Sequence, residues 1–324
     1  MVPIDSAEGY GGGCVDEKPP KVSVVMPVKN GELFIVGALE SLYRQSYQDF
    51  EVLIVDNGSE DRTREICERM IDSRTRLIPN SGNLTIADAL NLGISLANGE
   101  YIARLDCDDL AQPSRFRKQV DFLDSNPDVG IVGSWMKCFG ERRKSWKYPQ
   151  KDTAIRLSIL FRSPFGHPSV MFRAAWEGGN KGFYDPLFDF AEDLELWTRI
   201  CSEWRAANIP EFLTFYRTHP RQATKSNLLE REDSVRRILD IYRARMALPP
   251  PPTGASPAAF VRWWRLMSAR RQELSEVKAA EIWTLAGQHY SKLLRAFLRK
   301  VLIKVGLIES YYSARNLVER SLRL

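Results

Sequence analysis

KVSVVMPVKNGELFIVGALESLYRQSYQDFEVLIVDNGSEDRT, residues 21–63, is the stretch that decides the fold. Lys21 to Pro27 is a β-branched apolar run closed by proline, and Phe50 to Val55 is a second run of the same kind. Between them, Leu33 to Tyr43 spaces its apolar residues as a helix does, so the whole reads as one β-α-β unit. Ser59 stands where it can cap a second helix, with Glu60 and Asp61 suited to the positive end of that helix dipole.

Outward from this unit the alternation continues. Leu77-Ile78-Pro79 reads as a short strand, Ala87 to Ala97 as a helix closed by Asn98-Gly99, and Tyr101 to Leu105 as the next strand. A helix at Gln112 to Asp124 and an apolar strand at Val129 to Ser134 follow, after which the pattern is mixed and richer in aromatics up to about Ser226. The expected class is α/β, with a mostly parallel, Rossmann-like sheet flanked by helices. In such sheets ligands collect beyond the carboxyl ends of the strands. Three strands end in polar residues, Pro27-Val28-Lys29-Asn30, Asp56-Asn57-Gly58 and Asp106-Cys107-Asp108-Asp109, and the topology brings them to one edge.

At 324 residues the chain suits one sizeable α/β domain with an appendage, or two small domains. The divisions expected are a flexible leader at 1–20, the α/β domain at 21–226, and a helical, basic region at 227–324. Pro249 to Pro252 should form a stiff extended spacer in the last of these. Cys14, Cys67, Cys107, Cys138 and Cys201 are odd in number and lack a CxxC pair, which argues against a disulfide framework or a zinc knuckle and for a reducing cytoplasm. The N-terminus lacks the basic start and apolar run of a secretory signal. The apolar run Val301 to Ile308 is short and broken by Lys304, well under the ~20 residues of a membrane span. Trp263-Trp264-Arg265 and the basic segment from Lys292 suit either peripheral contact with an anionic membrane, at the inner face, or helices packed on the main domain. No recognised nucleic-acid motif accompanies the charge, so no nucleic-acid partner is expected.

Asp106-Cys107-Asp108 after a strand is a D-x-D arrangement, which puts two carboxylates within reach of one hard cation and leaves positions for diphosphate oxygens. Acids after a strand can equally cap the following helix, and D-x-D alone does not choose.

Three segments choose. Gly99 to Asp109 with Pro113-Ser114-Arg115-Phe116, the opening Val22 to Glu32, and Ile54 to Thr63 together closely resemble family 2 glycosyltransferases of the GT-A fold, over about Lys21 to Ser226. The resemblance implies a nucleotide-sugar donor, commonly uridine-linked, held by Pro27, Val28, Asn30, Glu32, Asp56, Asn57, Arg104 and Asp106. Asp56 would accept from the base, though it also reads as a turn former before Asn57-Gly58. The resemblance further implies Mn²⁺ or Mg²⁺ on Asp106 and Asp108, steadying the leaving diphosphate. The family usually has alanine at Cys107 and commonly glycine at Thr85.

Ala191-Glu192-Asp193-Leu194-Glu195-Leu196-Trp197 resembles the family's E-D motif, in which the aspartate is the base. Leu194, Trp197, Ile200 and Cys201 should form a buried face that holds Asp193 rigidly at the first helical turn, although both acids also suit helix capping. His219 resembles a position that in some members adds a metal or diphosphate contact. His167 in Phe165-Gly166-His167-Pro168-Ser169, together with Glu192, falls on the acceptor side; His167 reads equally as a loop histidine.

The expectation is therefore an inverting transferase acting on a glycan or lipid-linked acceptor hydroxyl in surface-polysaccharide assembly. A sugar-1-phosphate nucleotidyltransferase fits less well, because Pro27 to Gly31 is not a glycine-rich basic loop. A module that binds nucleotide sugar without turnover is the rival outside enzymology.

Overall fold

In a computed structural model of the chain, the residues described are 18–82, 84–159, 163–176, 182–188, 190–220 and 228–245. The elements follow as β1 (Val22–Val28), α1 (Ile35–Tyr43), β2 (Phe50–Asn57), α2 (Thr63–Met70), β3 (Thr75–Asn80), α3 (Ile86–Ser95), β4 (Tyr101–Arg104) and β5 (Leu110–Ala111). Then come α4 (Arg115–Ser125), β6 (Val129–Gly140), β7 (Ser145–Trp146), α5 (Asp152–Ile159), β8 (Met171–Arg173), α6 (Glu192–Glu203), β9 (Arg205–Thr218) and α7 (Leu228–Arg245).

One nine-stranded sheet runs β3-β2-β1-β4-β8-β6-β9-β5, with β7 beside β6. The first four are parallel, as the β-α-β reading requires, with Val28 opposite Asp56 and Val25 opposite Arg104. Beyond β4 the pairing is mixed: β8 is antiparallel to β4 and β6, while β6 and β9 are parallel.

Strand period sorts the core into two faces. Val22, Val24, Met26 and Val28 of β1 meet Ile35 and Leu39 of α1 and Phe116 and Leu123 of α4 on one side. Val25 meets Leu90 and Ile94 of α3 and belongs with Trp197 of α6 on the other. Burial of this kind, at about 25 cal/mol per Å² of apolar surface, is what fixes the register. Leu194, Trp197, Ile200 and Cys201 are buried as expected, and Leu196 is buried with them.

Ser59 does not cap α2. The helix starts at Thr63 behind Arg62 with no side-chain cap on that residue. Asp61 Oδ1 takes the Thr63 N–H at 2.9 Å instead, because the Ser59 hydroxyl is engaged by the neighbouring loop, accepting the Asn30 N–H at 2.9 Å. α7 lies past position 226, yet its Ile238 and Tyr242 are buried in the same core cluster as α6. The Pro249 to Pro252 spacer, the basic tail and most of the expected leader lie outside the described residues. Among the described residues no helix is long and apolar enough to cross a membrane.

Candidate active site

The carboxyl ends of β1, β2 and β4 meet at one edge, and their loops are laced together by reciprocal bonds. Asn30 gives its N–H to Ser59 and accepts the Glu60 N–H at 2.9 Å. Glu32 gives its N–H to Asp61 at 3.1 Å and accepts the Arg62 N–H at 3.1 Å. Asn30 holds φ 54°, a left-handed conformation that asparagine tolerates better than most residues. Pro27 and Val28 close β1 beside Val55 and Asp56. Asp56 is buried and accepts the Ser59 N–H through Oδ1 at 3.1 Å, the turn-forming role. Asn57 exchanges two bonds with the backbone of Leu84, at 2.8 and 3.2 Å, tying the end of β2 to the loop before α3. That loop touches Gly58 so closely that a Cβ there would sit 2.5 Å from the Gly82 Cα, and Gly58 has φ +68°.

Beyond β4 the acidic run turns tightly, with the Asp109 N–H bonded to the Asp106 carbonyl at 3.1 Å. Arg104 is buried and gives Nη2 to Asp106 Oδ1 at 2.6 Å, while its Nε and Nη1 have no hydrogen-bond partner among the described residues. Burial pulls its pKa down, but the charges of Asp106, Tyr184 and Asp109 outweigh this and hold it above the usual value. Asp108 Oδ2 lies 2.9 Å from His219 Nε2, and Phe34 packs on that histidine with ring centroids 4.5 Å apart. Asp109 is fully buried; Oδ1 accepts the Arg217 N–H at 2.7 Å, and Oδ2 has no hydrogen-bond partner among the described residues.

Burial and the charge of Asp106 raise the Asp108 carboxyl, with the bond from His219 working against them. Burial, Asp106 and Asp108 push Asp109 well above the carboxylate range, against the Arg217 N–H. One oxygen from each of Asp106, Asp108 and Asp109 falls within 4.8 Å of the other two. Three mutually repelling carboxylates, one with an orphaned buried oxygen, form a donor set that suits a hard divalent cation. Cys107 lies against Gly31, 3.3 Å from where a Cβ would be, and burial pushes its thiol well up, so it is inert packing.

On the other side, Glu192 is buried and Asp193 part-buried in the first turn of α6, where the helix dipole favours negative charge. Ala191 precedes the helix without a side-chain cap. His167 is bonded through Nε2 to the Tyr184 hydroxyl at 2.9 Å and packs edge-on to Trp197 at 5.8 Å. Burial, then the positive charge of Arg104, push the His167 pKa well down, so its ring is neutral.

Tyr184, which no motif marks, sits where the two halves of the site meet. Its phenol is raised by burial and feels the charges of Arg104, Glu192, Asp193 and Asp106. Asn91 of α3 fixes its backbone with two bonds of 2.8 Å. Arg115 and Gln119 of α4, fully buried, are also unmarked as a pair. Arg115 donates to the carbonyls of Arg104 and Val170, and Gln119 to those of Val132 and Ser169, so α4 clamps the acidic run to the His167 turn. The expected residues thus fall in two groups that meet at Tyr184, the laced loops with Asp106 and Asp108, and Asp193 with Glu192 and His167.

The family model for Glycosyl transferase family 2 matches residues 23–179. The O-antigen biosynthesis glycosyltransferase WbnJ of Escherichia coli is 30% identical over 219 residues, covering 64% of this chain and 83% of the relative. A second Escherichia coli relative, UDP-Gal:alpha-D-GlcNAc-diphosphoundecaprenol beta-1,3-galactosyltransferase, is 31% identical over 196 residues, or 57% of this chain and 69% of its own. Among solved structures, S. aureus TarS 1–349 in complex with UDP-GlcNAc is similar with a TM-score of 0.58 at 17% identity, over 93% of this chain and 92% of that one. That likeness is one of fold. Sequence and fold agree, and the chain belongs to glycosyl transferase family 2, with its GT-A fold.

Proposed function

We propose that the chain is an inverting glycosyltransferase that moves a sugar from a UDP-linked donor to a hydroxyl of a glycan or lipid-linked acceptor in surface-polysaccharide assembly, at the inner face of a membrane. One observation carries the reading: the buried guanidinium of Arg104, with two donors unsatisfied among the described residues, stands beside three clustered carboxylates at the edge where the donor loops converge. A diphosphate calls for both, carboxylates that would hold a divalent cation to offset its charge and a positive group to receive its oxygens. The names of the Escherichia coli relatives, one concerning O-antigen biosynthesis and the other UDP-galactose and a diphosphoundecaprenol acceptor, support the choice of donor and acceptor class.

In this reading Pro27, Val28, Asn30, Glu32, Asp56 and Asn57 cradle the nucleotide. Asp56 has a second carboxylate oxygen for the base beside the one that accepts from Ser59. Arg104 and Asp106 lie at the diphosphate. When bound on Asp106 and Asp108, with Asp109 beside them and His219 orienting Asp108 or adding a ligand, Mn²⁺ or Mg²⁺ supplies Lewis-acid stabilisation of the leaving group. Asp193 takes the proton of the acceptor hydroxyl as its oxygen attacks the anomeric carbon from the face opposite the diphosphate. The proton ends on Asp193 and the negative charge on the diphosphate, and because attack and departure are on opposite faces of the anomeric carbon the configuration inverts. His167 and Glu192 line the acceptor side.

Asp193→Asn keeps the shape and removes the base. It is expected to lose 10²-fold or more of transfer rate, in the range of positioned general bases, with donor affinity unchanged. Full activity in that variant would remove Asp193 from the mechanism.

A further inference from the structure

Segment 137–151, KCFGERRKSWKYPQK, carries six lysine and arginine residues against one glutamate, a net +5 equal to that of the whole chain. Lys137, Arg142, Arg143, Lys144, Lys147 and Lys151 are all exposed, and none of them is in a salt bridge among the described residues. All but Lys151, which precedes α5, lie on or beside the hairpin of β6 and β7, in which Lys137 pairs with Ser145 and the Cys138 N–H bonds the Lys144 carbonyl at 2.7 Å.

The hairpin is bolted to the site edge. The Glu141 N–H bonds the Thr218 carbonyl at 3.0 Å and the Arg142 N–H bonds the Thr218 hydroxyl at 2.8 Å, one residue before His219. Gly140 makes this approach possible: its φ is +89°, and a Cβ would lie 2.5 Å from the Thr218 carbonyl. A rigid cationic finger therefore projects beside the acidic run, held by the strand that leads to His219.

We propose that this hairpin seats the protein on an anionic membrane surface. The proposal rests on the reading above that the acceptor is carried on a lipid, and it says where the membrane lies relative to the site. Net charge argues against the chain's own C-terminal region as the occupant, because residues 246–324 hold thirteen lysines and arginines against five acids, the same sign as the hairpin. Base stacking of a single-stranded nucleic acid fits poorly. Trp135 is taken up by Phe212 and Lys147, and Trp146 by Tyr216, within the protein, leaving cations as the recognition groups. Cations clustered on a short finger match the anionic headgroup layer of a bilayer.

The test is co-sedimentation of the full chain with vesicles of phosphatidylcholine alone and of phosphatidylcholine mixed with phosphatidylglycerol. Wild type should bind the mixed vesicles and release in high salt. Each surface cation is worth about a five-fold gain in partition, so Arg142→Gln/Arg143→Gln/Lys144→Gln should lose on the order of 100-fold. Lys137→Gln/Lys147→Gln/Lys151→Gln should behave alike, which guards against misfolding of either variant. Arg295→Gln/Arg299→Gln/Lys300→Gln has the same net charge and should lose far less. Equal losses in hairpin and tail variants, or binding indifferent to phosphatidylglycerol, would overturn the proposal. So would tighter binding of a single-stranded DNA oligonucleotide that the hairpin variants abolish. Partition is read without donor, acceptor or metal, so its failure leaves the transfer reading standing, and failed transfer leaves partition standing.

Discussion

Replacing Arg115 with methionine tests what holds the two halves of the site together. The Arg115 guanidinium is fully buried and donates to the Arg104 carbonyl at 2.8 Å, the Val170 carbonyl at 3.1 Å and Gln119 Oε1 at 3.0 Å. Burial pulls its pKa down to about 9, with Arg104 adding to that and Asp109 opposing it, so at neutral pH it remains charged. Hydrogen bonds from a charged donor are worth about 1.5–3 kcal/mol each, so three amount to roughly 5–9 kcal/mol gross. Against this stands the several kcal/mol that desolvating a guanidinium costs. The expected net loss in Arg115→Met is about 2–4 kcal/mol, which at a urea slope near 2 kcal/mol per M moves the midpoint down by about 1–2 M. Gln119→Leu removes the donors to Val132 and Ser169 and the acceptor for Arg115, so the double mutant should show a coupling of about 1–2 kcal/mol. A midpoint in Arg115→Met equal to or above wild type would mean that desolvation dominates and that hydrophobic packing alone holds β4 and the His167 turn.

Two further outcomes follow from the geometry. Gly58→Ala forces a left-handed alanine against the Gly82 backbone, costing about 1–2 kcal/mol for the conformation and more for displacing the loop; a thermal melt matching wild type would show that the contact yields freely. His167 has a folded pKa well below its ordinary value because it is buried beside Arg104. The unfolded chain therefore binds a proton there that the native state refuses, and this group's contribution to stability falls as pH drops below about 6.5, by up to about 1.4 kcal/mol per pH unit. Urea midpoints across that range should fall more steeply on acidification in wild type than in His167→Gln; identical slopes would contradict it.

The repeating strands and helices were legible because a period of two and a period of 3.6 are local properties, and the positions of Asp56, Asp106 and Asp108 follow once the strands that carry them are placed. Ser59 was misread because its true partner, Asn30, is twenty-nine residues away and leaves no local trace. Arg115 reaches a carbonyl fifty-five residues on, and Tyr184 finds His167, Asn91 and the acids of α6 only through the fold. Thr85 shows the converse. It stands where the family commonly has glycine, and its side chain accepts the Asp88 N–H at 3.1 Å as the N-cap of α3, while Gly58 and Gly82 make the close approach. Backbone carbonyls have no sequence signature, so bonds to them are the part of a site that sequence conceals.

Titration calorimetry of UDP into the full chain, with and without Mn²⁺ and repeated on Asp106→Asn/Asp108→Asn, addresses the central claim most directly. Uptake should need the ion and disappear in the double variant, because the carboxylates would hold the cation and the cation the diphosphate. Uptake of equal strength without the ion, or unchanged in the double variant, would contradict it.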